Sequence, residues 1–205
     1  MLCGAEAVPL SPLLLLPLHY SFFVVKEVPM DFLIVIDMQN DFIDGALGTK
    51  EAQAIVLKVA DRIKGFSGRV LATRDTHEAD YLDTQEGKFL PVPHCIRGTH
   101  GWEICPEIAD LLTEQPIDKP TFGSTGLAHV IGAYHTYQQP VTSITLVGLC
   151  TDICVISNAL LLKAALPEVP IYVDAGCCAG VTPESHRRAL EAMQVCQVQI
   201  VGLEG

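Results

Sequence analysis

The segment MDFLIVIDMQNDF, residues 30–42, contains an uninterrupted apolar run that ends at an aspartate. The run FLIVI at residues 32–36 shows no alternation of polar and apolar residues, which is typical of a strand buried on both faces. Strands of this kind occur in parallel sheets that are covered by helices on both sides. The segment therefore predicts an α/β fold whose first strand ends immediately before Asp37.

Similar short apolar runs alternate with longer segments of helical periodicity along the rest of the chain. We expect further strands at residues 69–73, near 115–119, and at 143–149, 169–175 and 198–202. We expect helices at residues 50–64, 105–113, 126–137, 152–166 and 182–194. This alternation predicts a three-layer, doubly wound sheet of about six parallel strands.

Length and composition indicate one compact domain. The chain has 205 residues, of which 49% are hydrophobic and only 18% are charged, so it can bury a sizeable core. The formal net charge of −11 argues against a nucleic-acid partner, because phosphate binding requires a basic surface. The eight cysteines do not fit a small secreted disulfide scaffold, so we expect most of them to be reduced and buried in a cytoplasmic protein.

The first 29 residues differ from the rest. The stretch PLSPLLLLPLHYSFFVV, residues 9–25, is apolar but carries three prolines and a histidine, which disfavour a membrane-spanning helix. It also lacks the basic start of a signal peptide. We expect a disordered or artefactual extension at residues 1–29 and a folded domain at residues 30–205, with no membrane partner. A degenerate membrane anchor is the alternative.

Polar residues follow four successive predicted strands. The carboxyl ends of parallel strands share one edge of the sheet, where folds of this class bind ligands. Each of these residues alone could be structural, since an aspartate can cap a helix and a lysine can be solvated. Together they predict one site. They are Asp37, Asp75, His77, Lys119, Cys150 and Cys154.

The two cysteines of VGLCTDICV, residues 147–155, admit three chemistries: a redox pair, half of a metal site, or a nucleophile beside a second thiol. Their spacing is not that of a thioredoxin-like pair, and the segment lacks further zinc ligands. A nucleophilic thiol needs a base within hydrogen-bond reach. Asp37 can take the proton, Lys119 can orient the carboxylate, and the start of the following helix favours a thiolate at Cys154. Cys150 is better placed to lend its backbone N–H to an oxyanion.

The polar segment 74–101 is too long for an idle connection in a compact domain, and it carries a second cluster. Two histidines and two carboxylates suit one divalent metal, with zinc preferred and iron or manganese as alternatives. These four residues are Asp75, His77, Glu86 and His94. A packed core position is the competing interpretation of His94. Three neighbours are competing ligands that are more typical of solvated loops: Asp80, Asp83 and His100.

With these residues in view, the chain from about residue 30 to residue 202 resembles the isochorismatase-like cysteine hydrolases, and among them the nicotinamidases and related amidases. Five motifs carry the resemblance in the family's order: IVIDMQNDF, ATRDTH, LPVPHCIRGTHGWEI, DKPTFGS and VGLCTDICVISNA. Each motif alone is unspecific, whereas their joint order is specific. The resemblance implies the isochorismatase-like hydrolase fold, with six parallel strands between helices.

For the reactive centre, the resemblance implies a triad of Asp37, Lys119 and Cys154. It also implies a cis peptide between Leu149 and Cys150, with the amides of Cys150 and Cys154 forming an oxyanion hole. These assignments coincide with the residues that follow the predicted strands.

For the metal, the resemblance implies Asp75, His77 and His94 as ligands. The third histidine of some relatives is absent here, and Asp83 falls about where it would stand. Glu86 matches the acidic variant of the fourth ligand and is the least conforming of the set.

The resemblance also implies a reaction: hydrolysis of nicotinamide to nicotinate and ammonia through a cysteine thioester, as in NAD salvage. Phe42 and Phe122 are candidates to contact the substrate ring, with ordinary packing as the alternative. The partners expected are a small amide and, as an option, further copies of the chain in a homo-oligomer.

Two other hypotheses stay open at this point. The substrate could be another small amide of carbamoyl, ureido or maleamate type, whereas isochorismatase chemistry is disfavoured because it does without the cysteine. From another class, the chain could be a non-catalytic metal-binding or redox-sensing module with an oxidisable Cys154. Ammonia release from a Cys154→Ala variant separates the enzyme from the module.

Overall fold

The protein contains a sheet of six parallel strands in the order β3-β2-β1-β4-β5-β6, in a computed structural model that describes residues 29–203. The strand order reverses between β1 and β4, which confirms the predicted doubly wound α/β fold. The strands are β1 Met30–Ile36, β2 Arg69–Asp75, β3 Ile117–Lys119, β4 Val141–Leu149, β5 Ile171–Ala179 and β6 Gln199–Val201.

Helices cover both faces of the sheet. They are α1 Asn40–Ile43, α2 Lys50–Lys64, α3 Gln85–Phe89, α4 Pro106–Ala109, α5 Thr125–Tyr137, α6 Ile156–Ala165 and α7 Pro183–Val195. Short 3₁₀ turns occur at Tyr81–Asp83 and His100–Trp102, and a π-helical turn at Thr151–Val155 precedes α6. The arrangement is therefore three-layered, as predicted.

Strand β1 is the centre of the core. Its residues 32–36 are all fully buried, and their side chains alternate between the two faces. Phe32, Ile34 and Ile36 pack with α5, α6 and α7 on one side, whereas Leu33 and Val35 pack with α2 on the other. Because both faces are covered, each strand position needs an apolar residue, and this explains the unbroken run in the sequence.

Local capping sets several helix boundaries. Thr49 accepts a hydrogen bond from the N–H of Ala52 at the start of α2, and Thr182 forms a capping box with Ser185 at the start of α7. The helix expected at 105–113 is shorter, since α4 ends at Ala109.

Two further expectations concern the ends and the thiols of the chain. Apart from Pro29, the extension expected at residues 1–29 lies outside the described residues. Within residues 29–203, no helix is both long and apolar enough to cross a membrane. The cysteines of this range are free thiols, as expected, and only Cys196 is exposed.

Candidate active site

Three reactive side chains meet at the carboxyl edge of the sheet. Asp37 follows β1, Lys119 ends β3, and Cys154 lies in the π-helical turn after β4. The Nζ atom of Lys119 lies 2.7 Å from Asp37 Oδ2 and 3.4 Å from Cys154 Sγ. All three are buried, with relative exposures of 0% for Asp37, 1% for Lys119 and 3% for Cys154. The structure thus brings together the three residues that the sequence singles out.

The length of the lysine side chain suits the strand order. Strand β2 lies between β3 and β1, and neighbouring strands are about 4.8 Å apart, so the side chains of Lys119 and Asp37 must meet across the end of β2. Lys119 also meets Asp75 at the end of β2, with 3.0 Å between Nζ and Oδ1. One ammonium group therefore contacts two carboxylates and a thiol.

The carboxylate of Asp37 is held on both oxygens. Thr73 donates its hydroxyl to Oδ1 at 2.7 Å, and Lys119 lies on Oδ2. The backbone of Asp37 has a φ of +46°, a left-handed conformation that non-glycine residues adopt at a cost and that is concentrated at functional sites. Burial raises the pKa of Asp37, and the charge of Lys119 only partly offsets this rise. Such a carboxylate can take up a proton closer to neutral pH than a solvated aspartate.

The thiol of Cys154 differs from the sequence-based expectation of a thiolate. Burial raises its pKa well above the usual value, Asp37 raises it further, and Lys119 opposes both. The first turn of the helical segment is also π-helical rather than α-helical, with the N–H of Val155 donating to the carbonyl of Cys150 at 3.0 Å. A thiol whose pKa is raised in this way needs a base that takes its proton as it reacts.

The turn that carries the two cysteines has unusual backbone geometry. The peptide bond between Leu149 and Cys150 is cis, which confirms the expectation drawn from the family resemblance. Gly148 precedes it with a φ of +113°, and a Cβ atom built there would lie 2.1 Å from the carbonyl oxygen of Ile36. Only glycine allows β1 and β4 to approach this closely just before the turn.

The predicted metal ligands form a second cluster beside Lys119. His77 Nε2 lies 3.0 Å from Asp75 Oδ2 and 3.5 Å from Glu86 Oε1. His94 Nε2 lies 3.7 Å and 3.9 Å from the same two oxygens. Asp75, His77 and His94 are buried, whereas the Glu86 side chain is 22% exposed. The competing candidates of this segment are all exposed: Asp80, Asp83 and His100.

The donor atoms of this cluster fit a divalent metal. The Nδ1 atom of His94 lies 2.8 Å from the carbonyl oxygen of Val92, which accepts the ring proton and leaves Nε2 with its lone pair towards the carboxylates. Nε2 of His77 is buried without a well-directed hydrogen bond to any described group. Tyr81 packs its ring 4.7 Å from that of His77 and 5.0 Å from that of His94, which fixes both imidazoles. Two imidazoles with carboxylates suit zinc, iron or manganese.

A single cavity of about 230 Å³ connects the two clusters. Cys154 lies on its wall together with three members of the imidazole and carboxylate cluster, Asp75, Glu86 and His94. The remaining walls are apolar: Phe42, Leu47, Phe89, Leu90, Phe122, Cys150 and Ile153. The two phenylalanines expected near a substrate ring both line this cavity, with Phe42 buried and Phe122 exposed. The space is small for a ligand pocket and suits a molecule of about one ring.

Several supporting residues were not anticipated from the sequence. Gln39 accepts the N–H of Asp75 at 2.7 Å and donates to the carbonyl of Asp75 at 2.9 Å, so it fixes the end of β2. Asn158 donates to the carbonyls of Cys154 at 2.8 Å and Phe122 at 3.1 Å. Asn158 follows Cys154 by one helical turn and lies, with Ser157, between apolar residues on both sides, and a polar amide in such a segment was the available signal.

Comparisons with known proteins agree with this architecture. A nicotinamidase/pyrazinamidase of Mycobacterium tuberculosis is 26% identical over 193 residues, covering 84% of this chain and 98% of the relative. A nicotinamidase of Schizosaccharomyces pombe is 22% identical over 204 residues, covering 82% and 91%. The crystal structure of pyrazinamidase of Pyrococcus horikoshii in complex with zinc is 29% identical, with a TM-score of 0.70 over 84% of this chain and 99% of that one. The isochorismatase domain model matches residues 31–204, and the chain therefore belongs to the isochorismatase family.

Proposed function

We propose that this protein is an amidohydrolase that cleaves nicotinamide to nicotinate and ammonia through a thioester on Cys154. The observation that carries the proposal is the shared cavity, which has the thiol on one side and the cluster of imidazoles and carboxylates on the other. Relatives that this chain matches over nearly their whole length are nicotinamidases or pyrazinamidases. This supports a carboxamide substrate with an aromatic ring.

In the first half of the reaction, Asp37 accepts the thiol proton while Cys154 Sγ attacks the carboxamide carbon. Lys119 holds the carboxylate in place and stabilises its charge before the proton arrives. The oxygen that becomes negative lies against the backbone N–H groups of Cys150 and Cys154. Asp37 then returns its proton to the amide nitrogen, the C–N bond breaks, and ammonia leaves a thioester behind.

In the second half, water attacks the thioester carbon and Asp37 accepts its proton. The C–S bond breaks, the proton passes from Asp37 to the sulfur, and nicotinate is released from a regenerated thiol. The raised pKa values of Asp37 and Cys154 suit this exchange, because one proton moves between them in each half.

Asp75, His77 and His94, with Glu86 as the fourth ligand, would hold one divalent metal, zinc first and iron or manganese as alternatives. A metal bound there supplies a Lewis acid that accepts the lone pair of a heterocyclic nitrogen. Phe42 and Phe122 contact the faces and edges of the ring, which orients the carboxamide towards Cys154. The free thiols among the described residues favour a reducing compartment such as the cytoplasm.

The decisive experiment measures ammonia release from nicotinamide, pyrazinamide, maleamate and a carbamoyl amino acid, with and without a chelator. We expect hydrolysis of the two ring amides, and its loss in the Cys154→Ala variant with the metal content unchanged. Cys196→Ala, which removes an exposed thiol, is the matched control and should keep full activity. Hydrolysis of only maleamate or the carbamoyl compound would assign another amidase, and unchanged activity of Cys154→Ala would refute the mechanism.

A further inference from the structure

A polar bridge joins the turn that carries the two cysteines to helix α7. Thr151 follows Cys150 directly, and its side chain is fully buried. Its Oγ1 atom lies 2.8 Å from Nδ1 of His186, a half-buried residue in the first turn of α7. A buried hydroxyl paired with an imidazole stabilises a fold less than an apolar pair of the same size. The contact therefore indicates a role other than packing.

A second contact fixes the same turn to the same helix. The carboxylate of Asp152 accepts the N–H of Val181 at 3.1 Å and 3.3 Å from its two oxygens. The chain at Gly180 lies against the start of α7 so closely that a Cβ atom there would be 2.9 Å from the N atom of His186. Two consecutive residues of the turn, Thr151 and Asp152, are therefore held from one side by the segment that leads into α7.

We infer that Thr151 and His186 are positioning residues. Their contact fixes the backbone around Cys150, so that its N–H is directed at the negative oxygen of the transition state. The inference rests on the proposed function and extends it to residues outside the cavity. Thr151 lies between the two residues whose backbone N–H groups face that oxygen. A displacement of Thr151 moves the adjoining Cys150 and its N–H, whereas the aromatic walls Phe42 and Phe122 belong to other segments of the chain. Displacements of about 1 Å in such groups cost about a hundredfold in rate.

The test uses paired variants of the full-length protein. Thr151→Val and His186→Leu remove the bridge while conserving volume, and Thr151→Ser and His186→Asn keep a polar atom near the original position. We expect the first two to lower kcat for nicotinamide by about tenfold to a hundredfold with KM changed by less than about twofold, because the lost stabilisation acts only in the transition state. The Ser and Asn variants should recover most of kcat.

A double variant separates the bridge from independent effects. If Thr151→Val and His186→Leu break the same interaction, the double variant should lose no more kcat than the worse single variant. Multiplied losses would overturn the inference. Should His186→Leu fail to fold, the comparison of Thr151→Val with Thr151→Ser decides alone. Arg187→Ala, at an exposed neighbour on α7, is the control and should match the wild type.

A second measurement reports on the negative oxygen itself. Pyridine-3-carbaldehyde forms a tetrahedral adduct when the S–H bond of the thiol adds across its C=O bond, with a new C–S bond and the proton on oxygen. Its inhibition should weaken in parallel with kcat in Thr151→Val, whereas the affinity for planar nicotinate should stay constant. Equal weakening of both ligands, or full kcat in Thr151→Val and His186→Leu, would overturn the inference. A wild type that releases no ammonia from nicotinamide would instead refute the proposed function.

Discussion

Lys119 is the residue on which the charge balance of the site depends. Its ammonium lies 2.7 Å from one carboxylate oxygen of Asp37 and 3.0 Å from one of Asp75, at a relative exposure of 1%. Burial alone would lower the pKa of Lys119, but Asp37, Cys154 and Asp75 raise it, so the lysine stays charged. Two buried carboxylates are tolerated because this one cation is present.

Replacing Lys119 by methionine should therefore damage both activity and stability. The side chain keeps its length, but two buried carboxylates lose their partner, which costs about 3–5 kcal/mol in the free energy of unfolding. Denaturant unfolding and an ammonia assay measure the two effects. The matched control is Lys64→Met, since Lys64 pairs with Asp61 on the surface at 3.5 Å and such pairs contribute about 0–1 kcal/mol. Equal unfolding midpoints for the two variants would show that Lys119 does not balance the charges of Asp37 and Asp75.

The pH dependence of activity should follow Asp37. The base must be ionised to accept the thiol proton, so kcat/KM should fall as the pH drops through the pKa of Asp37, which burial raises above its usual value of 3.8. The hydroxyl of Thr73 lowers that pKa by donating to the carboxylate. Thr73→Val removes the donor at nearly constant volume, and the acidic limb of the profile should move to higher pH. A limb that stays in place, or moves to lower pH, would exclude Asp37 as the titrating base.

The proposed fourth metal ligand, Glu86, can be tested separately from the other three proposed ligands. Glu86 is the most exposed of the four, and its oxygen lies 3.5 Å and 3.9 Å from the imidazole nitrogens. We expect His77→Ala to abolish zinc binding and Glu86→Ala to weaken it by about ten- to a hundredfold, a range typical of supporting groups at metal sites. Zinc titration and metal analysis of the purified variants measure both. Asp83→Ala is the control at an exposed carboxylate. A larger loss of zinc affinity in Asp83→Ala than in Glu86→Ala would identify Asp83 as the fourth ligand instead.

At the scale of the secondary-structure elements, periodicity predicted all six strands and the long helices, but it did not predict the short helices α1 and α3. Helix α2 has the expected bounds, because its one buried face repeats apolar residues with helical periodicity. Strand β1 extends the expected strand by two residues, and its burial on both faces explains the unbroken apolar run. The helix expected from residue 152 begins instead with a π-helical turn. The spacing of apolar residues does not distinguish a π-helical turn, whose hydrogen bond joins residues five apart, from an α-helical turn, whose bond joins residues four apart. The π-helical turn was therefore not predictable from the sequence.

Asn158 connects two elements that carry parts of the site. It accepts the N–H of Ser124 at 2.9 Å and donates to the carbonyls of Cys154 and Phe122. Asn158→Ala leaves these buried groups without partners, so the free energy of unfolding should fall by about 1–3 kcal/mol and KM should rise as Phe122 shifts. Thermal unfolding and steady-state kinetics measure both. Ser157→Ala, which removes a hydroxyl that donates to the carbonyl of Ile153 one turn earlier, should change neither by much.

At the scale of the whole molecule, the site lies where the strand order reverses. This position was predictable from the sequence alone, because unbroken apolar strands imply a parallel sheet, and parallel sheets bind ligands at their carboxyl edge. The sequence therefore predicted which residues would meet. It did not predict the path of Lys119 over β2 or the bridge between Thr151 and His186, because such contacts depend on the packing of elements distant in the chain.

We propose that the hydrolase unit spans residues 30–205, as expected from the sequence. Strand β1 begins at Met30, whose N–H donates to the carbonyl of Pro140 at 3.0 Å, and it pairs with β4 along its length and with β2 at residues 32–35. A chain that starts at Met30 should keep the unfolding midpoint and the rate of ammonia release of the full-length protein within experimental error. A chain that starts at Ile36, which lacks most of β1, is the destabilised control. Loss of activity in the first truncation would show that the preceding residues belong to the unit.

The two oxygens of Asp75 serve different halves of the site, one lying on the ammonium of Lys119 and the other on the imidazole of His77. Natural selection on either half therefore constrains the same codon. Asparagine or glutamate at this position would disturb both halves at once, whereas exchanges in the apolar walls leave the charged groups in place. Changes in substrate preference are therefore to be sought at Leu47, Phe89 and Leu90 rather than among the charged groups.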